Sequence, residues 1–282
     1  MAIDAKTVMS LREKTQVGMM DCKKALQEAG GDIEKAEEIL LKSGAAKADN
    51  KSTRVAEQGA VFAAVNADNT AAALIEINCE TDFVAKNEDF VTFSNKLAEI
   101  ALEHKVIDAA SLLTLQFDAS NSVEDMRKLM VAKLGENIQI RRAHCMQAEQ
   151  GCVVSYSHGG RIVTLVNLST DNQDVAKDIA MHVAALRPSS ISAEGIAEDE
   201  VTKQREVFAA QVANSGKPAE IAEKIITGKI NKFLDENSLL GQVFVKDSKQ
   251  KVTQYLATNK CKVLSFLLYE VGVSGNESAV VA

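Results

Sequence analysis

Residues able to do chemistry are thinly spread through this chain. The four histidines, His104, His144, His158 and His182, lie far apart and show no metal-ligand spacing. The five cysteines, Cys22, Cys79, Cys145, Cys152 and Cys261, contain no Cys-x-x-Cys pair. His144 and Cys145 are neighbours, but a strand sends neighbours to opposite faces, which favours a structural role for both. No Gly-x-x-x-x-Gly-Lys-Ser/Thr loop is present, so the chain is not expected to hold a nucleotide phosphate itself. Nothing here points to a catalytic residue, a metal or a cofactor. One stretch stands apart: Asn78-Cys79-Glu80-Thr81-Asp82-Phe83-Val84-Ala85-Lys86-Asn87. The strand-like run Ala73–Ile77 ends there, and a helix-period pattern opens at Asp89. Phe83 and the acid Asp82 therefore stand together at a strand-to-helix corner, where a rigid scaffold can push side chains outward.

Two readings of Phe83 compete. In one, the helix is continuous from Asp82, and Phe83, Phe90 and Leu97 form a buried stripe at seven-residue spacing. In the other, Lys86-Asn87 interrupts the helix and Phe83 stands clear of the core as a wedge for a partner. Spacing alone favours the buried reading. Met19-Met20, followed by Asp21 and Lys23-Lys24, is similarly open. Two adjacent residues cannot share one helical face, so one Met is expected inside and the other outside, where a flexible thioether suits a protein contact. The alternative places both in a small, loosely packed core. His158, in a turn, reads equally as a surface contact or as a solvated turn residue.

The elements that must position these residues can be read from the rest of the chain. At 282 residues, two or three domains are expected. Aromatic residues are only 4%, with no Trp and 2 Pro, which favours helix-rich packing of small side chains over an all-β sandwich. A net charge of −7 disfavours nucleic acid or an anionic membrane as the main partner, since both need clustered cations. No apolar run approaches a membrane span, and the first residues lack a signal-peptide layout. With scattered, unpaired cysteines, a cytoplasmic location is expected.

Three short helices are read in the first fifty residues. Val8 and Leu11 mark the first, Cys22, Ala25 and Leu26 the second, and Asp32 caps a third that Gly44 is expected to stop. So small a bundle reads as a satellite of the main core. Ala45–Gln58 reads as a linker or exposed irregular segment. Two strands flank the turn Asn66–Thr70, then a helix carries Phe90, Phe93, Leu97 and Ile100, and a second helix is capped by Ser122. The plan recurs: strands flank Ser157-His158-Gly159-Gly160, and a helix ends before Pro188. Glu198–Asn214 and Pro218–Leu234 form a helical hairpin joined by Ser215-Gly216-Lys217-Pro218. Asp247 or Ser248 is expected to cap a helix with Val252, Tyr255 and Leu256, and Val263–Val271 is a last, central strand.

The central stretch resembles the signature of the elongation factor Ts family, guanine-nucleotide exchange factors for elongation factor Tu. Leu11-Arg12-Glu13-Lys14-Thr15-Gln16-Val17-Gly18-Met19-Met20-Asp21-Cys22-Lys23-Lys24-Ala25-Leu26 is similar to that family's N-terminal signature, and Gly135-Glu136-Asn137-Ile138, the hairpin and the last strand come after it in the family's order. The family usually has Gly at Gln16 and Pro at Val243, and some members end in an extra helix that this tail is too short to form.

The resemblance implies an α+β chain. Residues 1–45 form a three-helix UBA-like bundle and 46–58 a linker. Two related subdomains of antiparallel strands and helices come next (59–137, then 138–190 with 241–272). A protruding hairpin (191–240) and a tail (273–282) complete it. It also implies a partner, elongation factor Tu, and no enzyme activity. Thr81, Asp82, Phe83 and Val84 are expected to dislodge the partner's Mg²⁺, and Arg12, Met19, Met20, Lys23 and His158 to bind it. A homodimer or a two-plus-two complex through the hairpin is a further expectation. A passive adaptor built on the bundle and hairpin is the rival reading, and a cysteine- or histidine-dependent enzyme a third.

Overall fold

Local capping sets most element boundaries in the computed structural model, which describes residues 3–15, 17–213, 218–273 and 280–281. The expectations for Gln16, for the 215–217 turn and for most of the tail lie outside these residues. The first helices are α1 (Ala5–Thr15), α2 (Met19–Glu28) and α3 (Ile33–Lys51). As expected, the Asp32 side chain caps α3, accepting from the Lys35 N–H. The expected stop at Gly44 does not occur. Helix α3 runs to Lys51, taking in the first part of the segment read as a linker. Gly44 allows close packing instead: a Cβ there would sit 3.4 Å from the Lys128 carbonyl oxygen. Tertiary packing thus carries the helix past a residue that is a weak helix former.

Strands β1 (Gln58–Val65) and β2 (Ala71–Cys79) flank the expected turn, where Asn66 Oδ1 accepts from the Thr70 and Ala71 N–H groups. Then come α4 (Asp82–Ala85), α5 (Glu88–Glu103), α6 (Ala109–Leu113), α7 (Val123–Leu134) and β3 (Gln139–Gln147). Ser122 and Asp125 form a reciprocal capping box at the start of α7. The second half comprises β4 (Cys152–His158), β5 (Ile162–Leu168), α8 (Gln173–Leu186), α9 (Glu198–Ala213), α10 (Ala219–Asn237), α11 (Val252–Thr258), β6 (Val263–Glu270) and β7 (Val280–Val281). Lys251, not Asp247 or Ser248, precedes α11, because Asp247 turns back to accept from the Lys249 N–H. The strands form two sheets, ordered β1-β2-β3 and β4-β5-β6-β7. Helices mixed with small antiparallel-type sheets make this an α+β protein. Strand β6 is central, as its apolar run requires.

The chain divides into two compact units. The first is Met1–Ala64, Ala73–Cys145 and Tyr269–Val273; the second is Val65–Ala72, Met146–Leu268 and Ser274–Ala282. In the first, one core runs from Leu11 and Leu26 through Leu129 to Ile75 and Phe90, so the N-terminal helices share a core with the sheet rather than standing as a satellite. Its strand β2 carries a fully buried acid, Glu76. That carboxylate pairs with Arg142, whose Nε lies 2.7 Å from Oε2, and accepts from the Gly272 N–H at 2.8 Å and from Asn78 Nδ2 at 3.2 Å. Arg142 also lies 4.1 Å above the Tyr269 ring and donates to the Glu270 carbonyl.

In the second unit α8 covers β4 and β5, while α9 and α10 bury Val212, Ile226 and Ile230 in a separate small cluster. The buried His182 accepts a hydrogen bond at Nδ1 from the Val245 N–H (3.1 Å). Its proton must then sit on Nε2, which faces Gln242 Oε1 at 2.9 Å. Burial pushes this imidazole below its usual pKa. The unfolded chain therefore binds the proton first, and stability present above the ordinary histidine pKa of about 6.5 is lost as pH falls below it. In urea unfolding, the stability gap between wild type and His182→Asn should narrow from pH 7 to pH 5, by at most about 1.4 kcal/mol per pH unit. A constant gap would show that His182 protonates freely in the fold.

Candidate functional site

Strand β2 delivers the chain to the surface at Glu80, and two consecutive caps shape the corner beyond it. Thr81 Oγ1 caps α4, with the Val84 N–H 3.4 Å away. Asn87 Oδ1 then accepts from the Asp89 N–H at 2.9 Å and starts α5 afresh. The helix is thereby broken at Lys86-Asn87, and its phase is reset. Phe90, Phe93 and Leu97 enter the core, and Phe90 is wholly buried. Phe83 does not join them. Its residue exposure is 82%, the highest among the exposed large apolar side chains. The seven-residue stripe that favoured burial is real only from Phe90 onward.

The one-turn helix has two sides. Val84 and Ala85 pack against the core of the first unit, while Asp82 and Phe83 face outward. Asp82 Oδ2 lies 2.8 Å from Lys86 Nζ, and this hydrogen bond holds the Asp82 carboxyl below the usual carboxylate range. An exposed phenyl ring and a fixed anion thus sit side by side on a four-residue helix. So exposed a ring gains little burial from the fold itself.

That corner is braced from beneath. Helix α7 ends at Gly135, whose φ of +81° gives the left-handed cap that glycine adopts without strain. Immediately after it, Glu136 Oε2 accepts from the Glu80 and Thr81 N–H groups, each at 3.0 Å. Glu136 Oε1 accepts from the Thr81 hydroxyl at 2.6 Å. Glu80 returns the contact, its Oε1 accepting from the Asn137 N–H at 2.7 Å. Asn137 Nδ2 in turn donates to the Arg54 carbonyl at 2.8 Å. Sequence reasoning missed Glu80, Glu136 and Asn137 as a set. The acids at both ends of the clamp were visible, but their meeting was not.

The remaining residues singled out from the sequence are also at the surface. Arg12 and Lys23 are exposed on α1 and α2. Met19 and Met20 are both exposed, at 46% and 65%, so the expectation that one packs inward is corrected. Helix α2 begins at Met19, so both methionines sit in its first turn, and helical side chains tilt toward the N-terminus. Cys22, Ala25 and Leu26 supply the inward face instead. His158 is exposed at the end of β4, in the second unit, whereas all the others belong to the first. The five cysteines are buried, and burial pushes the Cys79 thiol up to about 12, far from a ready nucleophile. Among the described residues no cluster of His, Cys, Asp or Glu is arranged to hold a metal ion.

Comparison with known proteins settles the kinship of this arrangement. The family model described as elongation factor TS matches residues 80–273, beginning within the exposed corner and ending just beyond β6. The chain belongs to the elongation factor Ts family. Elongation factor Ts of Methylococcus capsulatus is 46% identical over 272 residues, covering 96% of this chain and 93% of the relative. That of Thioalkalivibrio sulfidiphilus is 47% identical over 273 residues, with the same coverage. That of Legionella pneumophila is 46% identical over 270 residues, covering 96% and 92%. Membership in the elongation factor Ts family makes this chain a translation elongation factor. No helix among the described residues is long and apolar enough to cross a membrane.

Proposed function

We propose that this protein binds the GDP-bound form of elongation factor Tu and drives GDP release by dislodging the partner's Mg²⁺, so that GTP can rebind. The observation that carries the reading is Phe83, exposed beside an ionised Asp82 on a helix too short to bury either. Bound GDP is held by oriented backbone donors and by Mg²⁺, the largest local charge in such a site. An exchange factor needs no catalytic group of its own. It has only to bind the distorted, empty partner better than the loaded one, and returning nucleotide weakens it by the same factor.

Magnitudes show why several modules are needed. Loosening nucleotide 10⁴-fold takes about 5.5 kcal/mol of differential binding. One buried Phe contributes about 1.5–3 kcal/mol, so Phe83 cannot act alone. Arg12, Met19, Met20 and Lys23 supply a second grip, with flexible thioethers at its centre. His158 adds a contact from the second unit, and Thr81 and Val84 hold the wedge from its inner side. The α9–α10 hairpin serves association, with the partner or with a second copy in a two-plus-two complex. We place the activity in the cytoplasm, a reducing compartment that suits five buried thiols. The test is release of fluorescent GDP from elongation factor Tu as this protein is titrated in. Accelerated release that saturates is expected; binding without acceleration would leave only a passive adaptor.

A further inference from the structure

We infer that Glu136 is a positioning residue for nucleotide exchange: it sets the height and direction of the Phe83 wedge while staying out of the partner interface. The inference rests on the exchange reading above and names a further residue within it. Glu136 gathers three donors on one carboxylate: the Glu80 N–H, the Thr81 N–H and the Thr81 hydroxyl. All three lie immediately before the short helix α4. None of that helix's residues is fully buried, and its apolar anchorage is limited to the half-buried Val84 and Ala85. The neighbouring Lys86–Asp82 ion pair is internal to the same turn and cannot anchor it to anything else.

The clamp is reciprocal, which makes it stiff. Glu80 grips the Asn137 N–H while Glu136 grips Glu80 and Thr81, so two segments 55 and more residues apart each hold the other's backbone. Gly135 supplies the sharp turn that brings the carboxylate under the corner. Charge-assisted bonds to backbone N–H groups are directional and about twice as strong as neutral ones. Loss of the carboxylate leaves β2 and α5 formed but lets the turn between them wander. A wedge displaced by about 1 Å can lose a large part of its effect.

Because Glu136 acts through Phe83, its removal cannot cost more than removal of Phe83 itself. The test measures maximal GDP release at saturating concentration and, separately, affinity for nucleotide-free elongation factor Tu, for four proteins: wild type, Glu136→Ala, Phe83→Ala and the double variant. Glu136→Ala is expected to lower the maximal rate about tenfold, to weaken binding to the nucleotide-free partner by no more than about the same factor, and to add nothing to either loss once Phe83 is Ala. Glu136→Gln, which keeps one acceptor and the side-chain volume, should fall between wild type and Glu136→Ala, and serves if Glu136→Ala does not fold. Additive losses, or an unchanged maximal rate in either folded variant, would overturn the role of Glu136 alone. If Phe83→Ala itself releases GDP like wild type, the wedge reading fails first.

Discussion

Phe83→Ala is expected to slow GDP release from elongation factor Tu by about 10- to 150-fold while leaving the fold almost untouched. The size comes from burying one phenyl ring against a partner, about 1.5–3 kcal/mol, converted at about 1.4 kcal/mol per factor of ten. The lack of effect on folding comes from its exposure. A residue 82% open to water has little native burial to lose, and surface replacements away from special backbone sites usually change stability by less than about 0.5 kcal/mol. Two measurements on the same samples decide the matter, stopped-flow release of labelled GDP and the thermal midpoint of the free protein. A large drop in midpoint with normal release would return Phe83 to the class of core residues.

The second large effect belongs to folding. Glu76→Ala should destabilise the first unit by about 3–5 kcal/mol, because the Arg142 guanidinium, itself nearly buried, loses its counter-charge. The Gly272 N–H and the Asn78 amide lose their acceptor in the same step. Charge, not shape, dominates, so combining Glu76→Leu with Arg142→Met should recover part of the loss. Urea unfolding of the three proteins would show this. A single variant as mild as a surface change would mean that water reaches the pair.

Much of this fold was legible in the chain because its boundaries are set locally. Asp32, Ser122 and Asn66 carry their capping and turn chemistry in their own side chains, and the structure places each as the spacing requires. Features that depend on distant packing were not legible. Gly44 reads as a stop, and only α7 lying against it keeps the helix going. Phe83 sits in phase with Phe90 and Leu97, and the Asn87 cap that breaks the phase is a single residue competing with a clear stripe. Met19 and Met20 were misjudged because periodicity describes faces, while exposure at a helix start depends on the residues that precede it. Glu76 did leave a trace, as a lone acid in the apolar run Ala73–Ile77. An acid there needs a buried cation, and Arg141-Arg142 was the pair to consider. The bracing of the corner left only its two acids, Glu80 and Glu136, since backbone donors such as the Thr81 N–H have no signature in a sequence.

The ties around Glu76 also order events in time. Residues 269–273, far along the chain from their partners, belong to the first unit, where Tyr269, the Glu270 carbonyl and the Gly272 N–H complete the surroundings of Arg142 and Glu76. A nascent chain that has just emerged past β3 therefore carries two charges whose enclosing residues, 128 positions beyond Arg142 in the case of Glu270, have yet to be made. This translation factor finishes its own amino-terminal half only once the end of β6 has been translated.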